Sequence, residues 1–128
     1  MRDKEKILRQ FLYWFGLGNI FVHPILPWFF HQQFFWTPRN IPYEFMIGGM
    51  YIAWGIVMVA ASKEPLKHKL FIDFTILGNL FHTAVMIFFG IVEQPMHLYG
   101  DVLWISALWI IPLLYYPWGI KNFLRSNN

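Results

Sequence analysis

The chain contains no cysteine and carries little charge. The first absence excludes disulfides, thiolate metal centres, iron–sulfur clusters and haem attached through Cys-x-x-Cys-His. The second bears on the solvent. Charged residues occupy 13% of 128 positions, about half the share usual in a soluble domain. A domain this small has a large surface to cover with polar groups, so a chain with so few of them needs a solvent other than water. Also missing are internal repeats, low-complexity tracts and any HExxH-type metal motif.

Apolar and aromatic side chains fill the sequence instead: 57% is hydrophobic, with 14 Phe, 7 Trp and 6 Tyr. Trp and Tyr at this density suit the headgroup zones of a bilayer, where one end of the ring is dry and the other wet. Crossing the hydrocarbon takes roughly 20 apolar residues in a helix. Four stretches qualify, at about 7–30, 42–61, 67–92 and 97–116. The expected fold is therefore all-α, an antiparallel bundle of four transmembrane helices forming a single membrane domain over residues 1–128. Pro24 and Pro27 interrupt the far end of the first stretch, which should kink there or end and continue as an interfacial segment through Phe35 and Trp36. Asn40 is placed to cap the second helix, with Pro42 in its first turn. Pro117 should stop the fourth. Residues 62–66 and 93–96 leave space only for turns, so consecutive helices should run in opposite directions.

The cations set the orientation. Arg2, Lys4, Lys6 and Arg9 precede the first stretch, Lys63, Lys67 and Lys69 lie between the second and third, and Lys121 and Arg125 follow the fourth. Nine of ten thus fall on one face, with Arg39 alone on the other, where it reads as a solvated loop charge. The positive-inside rule makes the crowded face cytoplasmic, with both termini on it. Because these cations flank apolar spans, they read as topology signals and not as a nucleic-acid surface. No small-x-small cleavage site follows the first stretch, so it is read as a span and not as a cleaved signal peptide.

Ionisable side chains are costly in hydrocarbon, and each needs a partner or a purpose. Glu44 opens the second helix, His82 lies past the midpoint of the third, and His97 and Asp101 open the fourth. Alternating helices bring these four to similar depth in the outer half. Asn79, His82 and Met86 are spaced i, i+3, i+7, and His97 and Asp101 i, i+4, so each set shares a helix face if the fourth helix has begun by His97. His23, just before Pro24, is a further candidate. Such a set fits hydrogen-bonding glue between helices, a divalent metal (zinc, copper or iron), a small-molecule or proton-handling pocket, and, behind these, haem. Gly48, Gly49, Ala53 and Gly55 form a small-residue stripe expected to allow close helix approach.

At Tyr43-Glu44, His82-Thr83-Ala84-Val85-Met86 and His97-Leu98-Tyr99-Gly100-Asp101 the sequence resembles a family of small bacterial four-helix membrane proteins of unknown function. In that family a Tyr-Glu pair opens the second helix, a His followed by small residues and Met lies in the third, and His-Leu-x-Gly-Asp opens the fourth. The resemblance covers roughly residues 42–110. It implies the four-helix fold and a bacterial inner-membrane setting, and it marks Glu44, His82, His97 and Asp101 as a set; it implies no activity.

The function expected is an outward-facing intramembrane site, built of His and carboxylate groups, for a metal ion or small ligand. The alternative is a non-catalytic accessory subunit of a larger respiratory or oxygenase-type membrane complex. The lipid bilayer is the expected partner in either case, with a homo-oligomer or larger complex possible and no nucleic acid. No nucleophile–base pair or cofactor motif marks the chain as an enzyme.

Overall fold

The computed structural model describes residues 2–115. It is helical throughout, at 85% helix and with no strand among the described residues. The expected stop at Pro117 and the cations Lys121 and Arg125 lie outside the described residues. Helix α1 spans Arg2–Leu17 and continues through a π-helical turn, Gly18–Val22, closed by an i→i+5 bond from His23 N–H to Gly18 O at 2.8 Å. The chain then breaks at the prolines into two single turns, α2 (Leu26–Phe29) and α3 (His31–Phe34). The helix ends at the prolines, as in the second of the two expected outcomes, and the chain goes on through short turns.

Helix α4 covers Ile41–Ala61. Asn40 caps it as expected, its side-chain oxygen accepting the Tyr43 N–H at 3.1 Å, with Pro42 in the first turn. A 3₁₀ turn at Pro65–Lys67 leads to α5 (Lys69–Val92), and a second at Pro95–Tyr99 leads to α6 (Asp101–Tyr115). The last helix thus starts later than residue 97. Gly100 breaks the path with φ −129° and ψ −100°, and a Cβ there would collide with Gln33 of α3.

Gly16 of α1 faces Val59 of α4 while His23, further along, faces Tyr51, and Tyr51 and Trp54 of α4 meet His82 and Thr75 of α5 in reversed order. The long helices therefore alternate in direction. Extensive packing joins α1 to α4, α1 to α6, and α5 to α6; α4 and α5, though consecutive, are not among the well-packed pairs. Leu8, Leu12, Met58, Ile72, Ile76, Ile105 and Leu108 form the centre of the core. The α1–α4 crossing is tight: a Cβ on Gly55 would stand 2.5 Å from Gly16 O and 2.9 Å from Asn19 Cβ. The small-residue stripe divides here, because Cβ atoms on Gly48 and Gly49 would meet nothing within 4 Å. Only the Gly55 end of the stripe serves helix approach.

Ile41–Ala61 and Lys69–Val92 are long and apolar enough to cross a membrane, and Asp101–Tyr115 is a shorter apolar helix. Only 22% and 28% of the most apolar windows of α4 and α5 are buried inside the protein. A soluble core helix of that composition would bury most of its surface. Phe45, Met46, Met50, Phe74, Phe81, Phe88 and Ile91 project outward instead. That pattern suits lipid contact.

Candidate functional site

Where α4 and α5 part, a cavity of about 710 Å³ opens between them, closed on other sides by residues 23–40 and the start of α6. Five of the seven residues singled out from the sequence line it: Glu44, His82, Asp101, His23 and Met86. The other two lie elsewhere. Asn79 is buried and donates its Nδ2–H to the Thr75 carbonyl 2.8 Å away, one turn back in the same helix. It lies a turn below the cavity and completes α5 internally. His97 stands behind the cavity wall, wholly buried at 0% exposure.

The rim is a charge pair. Arg39 donates to Glu44 through Nη2 at 2.6 Å and Nε at 3.1 Å, a two-pronged match of guanidinium to carboxylate. Its guanidinium also lies 3.8 Å from the centroid of the Phe35 ring. The hydrogen bond to Glu44 holds the Arg39 pKa above its ordinary range. Arg39 is an exposed loop charge, as expected, and its planar fork also finds a carboxylate and a ring face within reach.

The floor lies about 10 Å further along α4, seven residues at ~1.5 Å each. There the Tyr51 hydroxyl and His82 Nδ1 are 2.9 Å apart, one donating to the other according to the imidazole tautomer. His23, delivered by the π-helical turn, sets its ring 5.0 Å from Tyr51 and 5.7 Å from Trp104. Its Nδ1 is buried with no hydrogen-bond partner among the described residues.

The wall is built by the turn before α6. His97 Nδ1 and Asp101 Oδ2 share a hydrogen bond at 2.9 Å, so the i, i+4 contact forms although His97 lies in a 3₁₀ turn and not in the helix. The Trp36 ring stacks on His97 with centroids 4.0 Å apart and 17° between planes. Asp101 lines the cavity at 6% exposure. Its Oδ1 and the Nε2 of His97 have no hydrogen-bond partner among the described residues. Gln94 ties this wall to the segment carrying Trp36: its amide accepts from Thr37 N–H at 3.1 Å and donates to Thr37 O at 2.7 Å.

Among the described residues no three His, Asp or Glu side chains converge as ligands of one ion. His82 and His97 each commit Nδ1 to a neighbour within the protein. The arrangement suits a guest with an apolar body against Trp28, Phe34 and Phe89 and a polar head near Tyr51, His82 and Asp101. Sequence reasoning overlooked Tyr51, Trp36 and Gln94. The first had a signal: a tyrosine in mid-span must find a partner for its hydroxyl. Nothing local marks Trp36 or Gln94, whose roles depend on tertiary contacts.

Comparison with curated proteins finds no match, and comparison with solved structures finds none either. A family model does match, over residues 5–122, and by it the chain belongs to DUF6632, a family of unknown function.

Proposed function

We propose that this is a four-crossing membrane protein, both termini cytoplasmic, whose outer half binds a small ligand with an apolar body and a polar head. The crossings at α1 and α6 and the orientation rest on the distribution of Lys and Arg and on the alternating helices. A bacterial inner membrane is the setting implied by the resemblance of the three motifs. The cavity carries the functional reading. It has a volume typical of small-molecule sites, lies where two span-length helices separate, and gathers Tyr43, Glu44, His82, Met86 and Asp101 from all three motif segments. Structural glue would have paired its polar atoms, and two atoms of lining residues, His23 Nδ1 and Asp101 Oδ1, have no partner among the described residues. An organic ligand fits these walls better than a metal ion, since no ligand triad converges among the described residues. The exposed apolar faces that would suit a neighbouring subunit suit lipid equally, so they lend the accessory-subunit reading no separate support.

Native mass spectrometry of protein extracted gently from its own membrane tests the proposal. A small molecule should copurify at one per chain, and it should be lost from Gly48→Trp, whose new side chain points into open space along the cavity. Bare wild-type protein, or an adduct retained unchanged by the variant, would remove the proposal.

A further inference from the structure

Building on that ligand-binding reading, we infer the chemical class of the ligand: an uncharged, flat carbonyl compound whose oxygen accepts a hydrogen bond from the Tyr51–His82 pair. The donors of that pair lead there. Both residues line the cavity, and the Tyr51 hydroxyl stands 2.9 Å from His82 Nδ1. Where the hydroxyl donates to Nδ1, the neutral ring carries its proton on Nε2, free for a guest. Where Nδ1–H donates to the phenol oxygen, the hydroxyl proton is free instead. An imidazolium would leave both of these donors free. A spare donor is thus present in every arrangement of the protons, whereas a spare ring nitrogen that accepts exists only in the second. Unmatched buried donors are costly, and they are rarer in proteins than unused acceptor lone pairs. What the pair calls for is an acceptor.

The surroundings narrow the class. At the rim Arg39 and Glu44 satisfy each other, and the Asn40 side-chain oxygen receives the Tyr43 N–H. His23 sets its ring 5.0 Å from that of Tyr51, and its buried Nδ1 has no partner among the described residues. Carrying the ring proton, that nitrogen would donate to the same guest oxygen, and a carbonyl oxygen has two lone pairs to accept from both. An uncharged head needs no counter-ion at a depth where charge is expensive. The walls suit a flat body. Trp28, Phe34, Trp36 and Phe89 supply ring faces for stacking. On the α4 side Gly48 and Gly49 line the cavity, and Cβ atoms on them would meet nothing within 4 Å. That stretch of wall is bare backbone with space beside it, wide enough for a ring to lie against.

The test compares 9-fluorenone with fluorene, two flat molecules of nearly the same shape that differ in the carbonyl oxygen. Equilibrium binding of tritiated 9-fluorenone to full-length protein in nanodiscs is measured with empty nanodiscs subtracted, and unlabelled fluorene is the competitor, both concentrations being referred to the lipid phase. The ketone should bind saturably and about fivefold or more tightly than the hydrocarbon, as expected for one neutral hydrogen bond made in one case only. Replacing Tyr51 and His82 together by Phe removes both donors and should bring the two affinities within about twofold. The comparison in wild-type protein stands even if that double variant folds poorly. Equal affinities in the wild type, or a preference kept by the folded double variant, would overturn the carbonyl assignment and leave the ligand-binding reading intact. Saturable binding of neither probe would overturn both.

Discussion

Gly49 and Gly55 lie on the same helix, six residues apart, and carry opposite predictions. Gly49→Ala puts a methyl where nothing lies within 4 Å, so it should leave stability unchanged or raise it by up to ~1 kcal/mol through helix propensity. Gly55→Ala drives a methyl against the Gly16 carbonyl and Asn19 and should cost about 1–3 kcal/mol. Thermal unfolding of both variants in one detergent checks the pair. The sequence presented these glycines as a single stripe, because composition records smallness and not what stands opposite. Asn19 shows the same limit. It accepts from Trp104 Nε1 at 2.8 Å and sets its Nδ2 3.7 Å from Met58 Sδ, at 0% exposure. A mid-span asparagine announces that it needs partners, but not that they lie on two other helices. By contrast, the His97–Asp101 contact was readable from spacing, and the structure keeps it through an unexpected backbone.

At the scale of elements, legibility followed the strength of the local signal. The limits of α4 could be read almost to the residue, because Asn40, Pro42 and a 20-residue apolar run agree. Replacing Asn40 by Ala leaves the Tyr43 N–H without its side-chain acceptor and should cost ~1 kcal/mol. Chemical denaturation in mixed micelles reads this as a lower midpoint at constant slope. The start of α6 was placed four residues early, because hydropathy does not register Gly100, which has no room for a Cβ beside Gln33. The irregular stretch after Val22 was visible from Pro24 and Pro27 only as an interruption. Its use as one side of a cavity depends on Thr37 meeting Gln94, across 57 residues of chain. The separation of α4 from α5 was not legible at all. Short connections predict direction, whereas packing depends on which faces find better partners; α4 finds its partner in α1 and α5 in α6.

For the whole molecule, the polar groups gather at the end where α4 and α6 begin, while most cations lie toward the other. This asymmetry was present in the sequence, since alternating helices and charge placement suffice to derive it. The cavity that gives it meaning required the tertiary structure. Both are probed by a thiol at position 49, and the cysteine-free chain makes such a thiol unique. Gly49→Cys would line the cavity, whereas Met50→Cys would occupy a site 64% exposed on the outer face of the protein, which the account assigns to lipid. Only a thiolate reacts readily, and apolar surroundings suppress its formation. The measurement is the rate at which each variant reacts, in sealed membranes, with an impermeant charged methanethiosulfonate reagent added to one side at a time. The account predicts that Gly49→Cys reacts from the outer side only, about tenfold or more faster than Met50→Cys. Equal rates at the two positions, or reaction of Gly49→Cys from the cytoplasmic side alone, would contradict it.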